Sequence, residues 1–113
     1  MRVIIAGSRT IDNYELVKYC VQQSGFTITT VISGTANGAD KLGEQYANEN
    51  NIPIKRFVPN WTKFGKSACY KRNVEMAENA DALVIIIENN SRGSTHMYNI
   101  AKEKGLKVYR YDI

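Results

Sequence analysis

Short apolar runs recur along this chain, and the stretches between them carry apolar residues at helical spacing. Val3 to Ala6 is a β-branched run stopped by Gly7, the pattern of a buried strand. Asp12 or Asn13 can cap a helix in which Leu16, Val17, Cys20 and Val21 share a face, and Gly25 ends it. Ile28 to Ile32 reads as a second strand, followed by a helix from about Asp40 to Glu49 with Leu42, Tyr46 and Ala47 on one side. A third strand is predicted over Ile52 to Val58, with Pro53 near its start, where a missing N–H is tolerated. Pro59 to Tyr70 shows no period and reads as irregular, before a helix from about Lys71 to Asn79. Ala82 to Ile87 is apolar throughout, as a central parallel strand covered on both faces should be. A helix over Thr95 to Lys104, ended by Gly105, and a last strand over Val108 to Tyr111 complete the series.

Strands thus alternate with helices from end to end. Right-handed crossovers turn that order into an α/β Rossmann-like three-layer domain, with a mainly parallel sheet of about five strands. At 113 residues the chain has room for one core, so residues 1–113 are read as a single domain. No apolar run approaches the length of a membrane helix, and the N-terminus reads as a strand rather than a leader, so a cytoplasmic protein without a membrane partner is expected. Cys20 falls on the apolar face of its helix and Cys69 in the irregular segment. Two cysteines and the single His96 lack metal-ligand spacing, and nothing calls for a metal or cofactor.

Net charge is only +4, but its distribution is uneven. Six basic residues and no acidic one lie between Asn50 and Val74: Lys55, Arg56, Lys63, Lys66, Lys71 and Arg72. Such a stretch suits either an anionic ligand or a solvated surface.

In open parallel sheets ligands bind beyond the carboxyl ends of the strands, which directs attention to the connecting loops. The first is Gly7-Ser8-Arg9-Thr10, with a tight turn, a hydroxyl and a guanidinium fork suited to phosphate or carboxylate. The second, Ser33-Gly34-Thr35-Ala36-Asn37-Gly38-Ala39-Asp40, places two glycines where a strand becomes a helix, so free amides and the helix dipole favour an anion. No Lys-Ser/Thr follows Gly38 and no GxGxxG is present, so it is neither a Walker A loop nor a dinucleotide fingerprint. Asp40 can cap the helix or accept from a sugar hydroxyl. After the fourth strand, Ser91-Arg92-Gly93-Ser94-Thr95 again offers hydroxyls, an arginine and a glycine at a helix start. Arg72 and Asn73, read near a helix start, suit phosphate and base or sugar. Trp61 is either a stacking platform or a lid over the core. Glu75 is a candidate general base, although a solvated helical glutamate has the same signature, and His96 can reach the fourth loop.

In order, Gly-Ser-Arg (Gly7 to Arg9), Ser-Gly-x-x-x-Gly-Ala-Asp (Ser33 to Asp40), Trp-x-x-Phe-Gly-Lys (Trp61 to Lys66), Arg-Asn-x-x-Met (Arg72 to Met76) and Ser-Arg-Gly-Ser-x-His-Met (Ser91 to Met97) resemble the YspA-like, cpYpsA-related branch of the SLOG (Smf/DprA-LOG) superfamily. The resemblance implies a Rossmann-like fold, a pocket for nucleotides or nucleotide-derived molecules, and a homo-oligomer. It carries a sensing or sequestering role for ADP-ribose-type signals, including in phages and other mobile elements. LOG enzymes of the superfamily instead release a base through Pro-Gly-Gly-x-Gly-Thr-x-x-Glu. Here the equivalent loop runs from Asn90 to Thr95, and Met97 or Tyr98 stands where the glutamate would be. A nucleotide N-glycosidase or phosphoribohydrolase would need Glu75, Asp40 or Glu88 in its place. Single-stranded DNA binding in the manner of DprA rests on the Lys55 to Arg72 charges alone. The expected function is therefore a binder of a nucleotide-derived or ribose-phosphate ligand, with Arg9 and Arg72 meeting anionic groups and the amides of Gly34 to Ala39 and Gly93 to Thr95 cradling phosphate.

Overall fold

A computed structural model describes residues 1–113. Five strands form one parallel sheet: β1 (Arg2–Gly7), β2 (Thr30–Ser33), β3 (Ile54–Arg56), β4 (Ala82–Ile87) and β5 (Lys107–Asp112). The strand order is β3-β2-β1-β4-β5. From β1 the chain winds outward through β2 and β3, then returns to place β4 on the other side of β1. The order therefore reverses between β1 and β4, and the loops leaving those two strands diverge to open a crevice.

Strand alternation builds the two cores. Val3 and Ile5 of β1, Val31 of β2 and Ala82, Val84 and Ile86 of β4 point to one face. There they bury against α1 (Tyr14–Ser24) and α2 (Ala39–Glu49). Ile4, Ala6, Ile32, Leu83, Ile85 and Ile87 point to the other, against α4 (Ala68–Glu78) and α5 (Arg92–Glu103). All six residues of β4 are buried, which accounts for the uninterrupted apolar run. Cys20 is fully buried in the first core, and burial pushes its thiol pKa up. No helix is long and apolar enough to cross a membrane.

Asn13 caps α1, its side chain accepting from the Leu16 N–H at 3.1 Å, and Gly25 ends it in the left-handed region at φ 70°. Four elements depart from their predicted bounds. The second strand is shifted towards Ser33, because Ile28 lies in the approach to the sheet, where it packs against the first core. β3 shrinks to three residues, since its only neighbour, β2, is itself four residues long and pairs with it at Ile54, Lys55 and Arg56 alone. The segment read as irregular is largely helical: α3 (Trp61–Phe64), capped by Asn60, passes through a 3-10 turn over Gly65–Ser67 into α4. α5 starts three residues before Thr95, at Arg92.

Candidate ligand-binding site

The crevice between β1 and β4 contains a cavity of about 530 Å³. Its floor and walls come from the loop after β1, the start of α2, one face of α4, the loop after β4 and the first turn of α5. Gly7, Ser8, Arg9, Asp40, Arg72, Asn73, Ser91, Gly93 and Ser94 all line it. Gly7 is dictated by packing, since a Cβ there would collide with the carbonyl oxygen of Ile86 on the neighbouring strand.

Ser8 fastens the two diverging loops together. Its buried hydroxyl accepts from the Glu88 N–H at 2.8 Å and donates towards Ser91 Oγ at 3.0 Å. Across the same gap Thr10 Oγ1 donates to the Glu88 carboxylate. Arg9, by contrast, is exposed, and its guanidinium meets only Cys69 Sγ at 4.0 Å. Its fork is free to bind an anion.

Arg72 and Asn73 sit in the second turn of α4 rather than at a helix start, because the helix begins at Ala68. Arg72 Nη1 donates to the Gly34 carbonyl and its Nε to Asn73 Oδ1 at 3.1 Å. Asn73 is buried and extends the chain of contacts to α5, donating to His96 Nδ1 at 3.1 Å and to the Gly93 carbonyl at 3.4 Å. A donor on Asn73 requires an unprotonated Nδ1, and burial holds the His96 pKa below its ordinary value, in keeping with a neutral ring. The Tyr70 ring packs edge-on against His96, their centroids 4.6 Å apart.

The two glycine loops behave differently. In the second loop several amides already have acceptors. Thr35 N–H donates to Ser33 Oγ, Ala36 N–H to Asp40 Oδ2 at 3.2 Å, and Ala39 N–H to the Ser8 carbonyl. Asp40 is 5 % exposed, in the first turn of α2, so a carboxylate occupies the place where a phosphate would sit. Burial raises its pKa to about 6, against the lowering effect of the Ala36 N–H and the nearby Arg72. α5 differs in its surroundings. Neither helix start has a side-chain cap, but no acidic residue lies in the first turn of α5, and Gly93 and Ser94 face the cavity. The uncapped amides with the right surroundings for an anion are those of α5.

Several residues singled out in the sequence support the site without lining this cavity. Ser33 is fully buried and donates to Glu44 Oε2 at 2.6 Å. Gly38 holds φ 80° while its backbone packs on Ser8 and Arg9, and Ala39 is buried beneath Gly7. Thr95 Oγ1 turns back to the Ser91 carbonyl, and Arg92 is exposed outside the lining. Glu75 is exposed on α4 and stands away from the cavity, because Asn73 and Met76 take the inward-facing positions of that turn. Of the two positions where the LOG glutamate would stand, Met97 is a buried apolar wall of the cavity and Tyr98 lies outside its lining.

Sequence reasoning missed Cys69, Tyr70 and Asn89 as lining residues, and Glu88 as more than a stand-in carboxylate. Cys69, Arg72, Asn73 and Met76 follow helical spacing, a signal visible only if the helix is begun at Ala68. Glu44 was missed as well. Burial opposes its ionisation, yet hydrogen bonds from Ser33 and Arg56 outweigh that and lower its pKa. Arg56 is thereby engaged, at 3.0 Å from Glu44, while Lys63 and Lys71 lie over the Phe64 ring. The basic stretch is thus divided: Lys66 and Arg72 line the cavity, while Lys55 lies over Phe57 and the other three are engaged as described.

Comparison with known proteins agrees with this architecture. DNA processing protein A (DprA) from Streptococcus pneumoniae has a similar structure, with a TM-score of 0.78 at 18% sequence identity, over 96% of this chain and 49% of that one. The chain thus spans about half the length of DprA, and at that identity the likeness concerns the fold. No curated protein matches in sequence. Residues 1–64, which hold both the Gly7 to Thr10 and the Ser33 to Asp40 loops, match the YspA, cpYpsA-related SLOG family, and the chain belongs to that family.

Proposed function

We propose that the cavity between β1 and β4 binds a nucleotide-derived or ribose-phosphate small molecule, and that the protein acts as a sensor of such a molecule or sequesters it. The observation that carries this reading is the convergence of Arg9, Arg72 and the uncapped start of α5 on one cavity at the switch point of the sheet. An anionic group there meets the free fork of Arg9, the positive charge of Arg72 and helix amides. Asp40 and Glu88 on the same walls accept from sugar hydroxyls, and Asn73 adds a neutral amide. Single-stranded DNA binding has less support, since Arg56 is paired with Glu44, Lys63 and Lys71 lie over the Phe64 ring, and Lys66 and Arg72 line the cavity.

Asp40 favours one second reading, slow hydrolysis of an N-glycosidic bond. A buried carboxyl that titrates near pH 6 inside a cavity has the character of a general acid or base. The two readings separate in one experiment. Thermal-shift titrations with AMP, ADP-ribose, cyclic ADP-ribose isomers, NAD and ribose 5-phosphate, each followed by chromatography of the mixture, are expected to show stabilisation with the ligand recovered intact. Appearance of free base would make the protein a hydrolase.

A further inference from the structure

A second cavity, of about 280 Å³, adjoins the first. Arg9, Ala36, Cys69 and Arg72 line both, so they form the partition between them. On the far side stand Trp61, Val58 and the loop residue Thr35.

Three features of this cavity have no explanation in the fold. Trp61 is 54 % exposed and Val58 70 % exposed, both among the most exposed of the large apolar side chains, and both face the same hollow. A single exposed apolar residue is ordinary; two lining one cavity beside a cationic partition mark a place for an apolar or aromatic group. Thr35, a β-branched residue, holds φ 65°, a conformation such residues rarely adopt and one that clusters at ligand sites. Finally Trp61 is not packed into the core as a lid. Asn60 caps the short helix that carries it, its side chain accepting from the Lys63 N–H at 3.0 Å, so the backbone under the indole is fixed at the rim of the hollow.

We propose that this second cavity is a subsite for a flat aromatic ring stacked on Trp61. One ligand then reaches across the partition, with its anionic group at Arg9 and Arg72, a polar sugar-like part in the larger cavity and the ring in the smaller. The proposal rests on the ligand reading given above and adds to it a requirement: the ligand carries an aromatic base as well as a ribose and phosphate. The volume suits one ring system. Stacking on an indole is tolerant of base identity, so affinity for the ring depends on Trp61 more than on any hydrogen bond to its edge.

Trp61 is the only tryptophan, so its emission reports on the subsite directly. AMP and ADP-ribose are expected to quench that emission and to bind Trp61→Ala about tenfold more weakly, within the range that base–aromatic stacking supplies. Trp61→Phe should recover most of the loss. Ribose 5-phosphate, which lacks a ring, should bind both proteins equally and leave the emission unchanged. If AMP and ADP-ribose bind Trp61→Ala as tightly as the wild type, the subsite is wrong while the main-cavity reading stands. Equal weakening of ribose 5-phosphate would make the effect of Trp61 structural, which also overturns it. Failure of all three probes to bind the wild type would remove both readings together.

Discussion

Asp40 and Arg72 crowd the α-carbon of Gly34: a Cβ at that position would lie 2.8 Å from Asp40 Oδ2 and 3.0 Å from Arg72 Nη1. An acceptor from α2 and a donor from α4 are thus brought together by the absence of one side chain on the loop after β2. Gly34→Ala is expected to displace both groups by a few tenths of an ångström. The stability cost should be small, about 1 kcal/mol, because the obstructing atoms are ends of side chains rather than backbone. Ligand affinity should fall by about tenfold. Gly34 lines the smaller cavity and Gly93 the larger, but a Cβ at Gly93 would have nothing within 4 Å, so Gly93→Ala should leave the thermal midpoint unchanged. Thermal melts and ligand titrations of the two variants side by side check this contrast.

The two arginines of the site should respond differently to truncation. Arg9 is exposed and touches only Cys69 Sγ, so Arg9→Ala should keep the melting temperature and lose about tenfold or more in affinity for an anionic ligand. Arg72 holds the Gly34 carbonyl and Asn73 Oδ1, so Arg72→Ala should lose both binding and about 1–3 kcal/mol of stability. Denaturant unfolding of both variants distinguishes the roles.

Asp40 gives the fold a specific pH dependence. Its folded pKa of about 6 lies above the ordinary value of 3.8, so its contribution to stability is fully present below about pH 3.8 and is lost as pH rises through about 6. At about 1.36 kcal/mol per pKa unit the change amounts to at most about 3 kcal/mol. Glu44 acts with the opposite sign, since its lowered pKa contributes stability that is lost as the pH falls. The contribution of Asp40 is therefore read as a difference: the stability of Asp40→Asn relative to wild type should increase between pH 4 and pH 7. A difference that stays flat across that window would show that Asp40 does not titrate there.

Cys69 stands in the partition between the two cavities and is partly accessible, whereas Cys20 is fully buried. A maleimide is expected to label the native protein once, at Cys69, and the adduct should block ligand binding by filling the cavities. A bound ligand should in turn slow the labelling. Peptide mapping after alkylation, with and without AMP, reads both effects.

The alternation of strands and helices was legible because β4 and β1 are buried runs with clear stops at Gly7 and Glu88, and because loops after such strands gather at one end of a parallel sheet. Arg9, Asp40 and Ser94 could be assembled from that rule, whereas Arg72 reads near a helix start and lies in the second turn of α4. What stayed hidden depended on contacts far apart in sequence. Gly65 and Ser67 look like helix breakers, yet the chain passes through them in a 3-10 turn, so α4 starts early and turns Cys69 towards Arg9, 60 residues away. Glu44 has the pattern of any solvated helical glutamate; only the packing of α2 on the sheet brings Ser33 and Arg56 to it. Asp40 reads as a possible cap from the sequence, but only the fold of its loop decides that the amide it takes is that of Ala36.

Isothermal titration calorimetry tests most directly whether one cavity binds an anionic, ribose-containing ligand through Arg9 and Arg72. Wild-type protein titrated with ADP-ribose and with AMP should show saturable binding to at least one of them, strongly weakened in Arg9→Ala, with the ligand recovered unchanged by chromatography. Binding of equal strength in wild type and Arg9→Ala, or no heat with either ligand at micromolar protein, would contradict it.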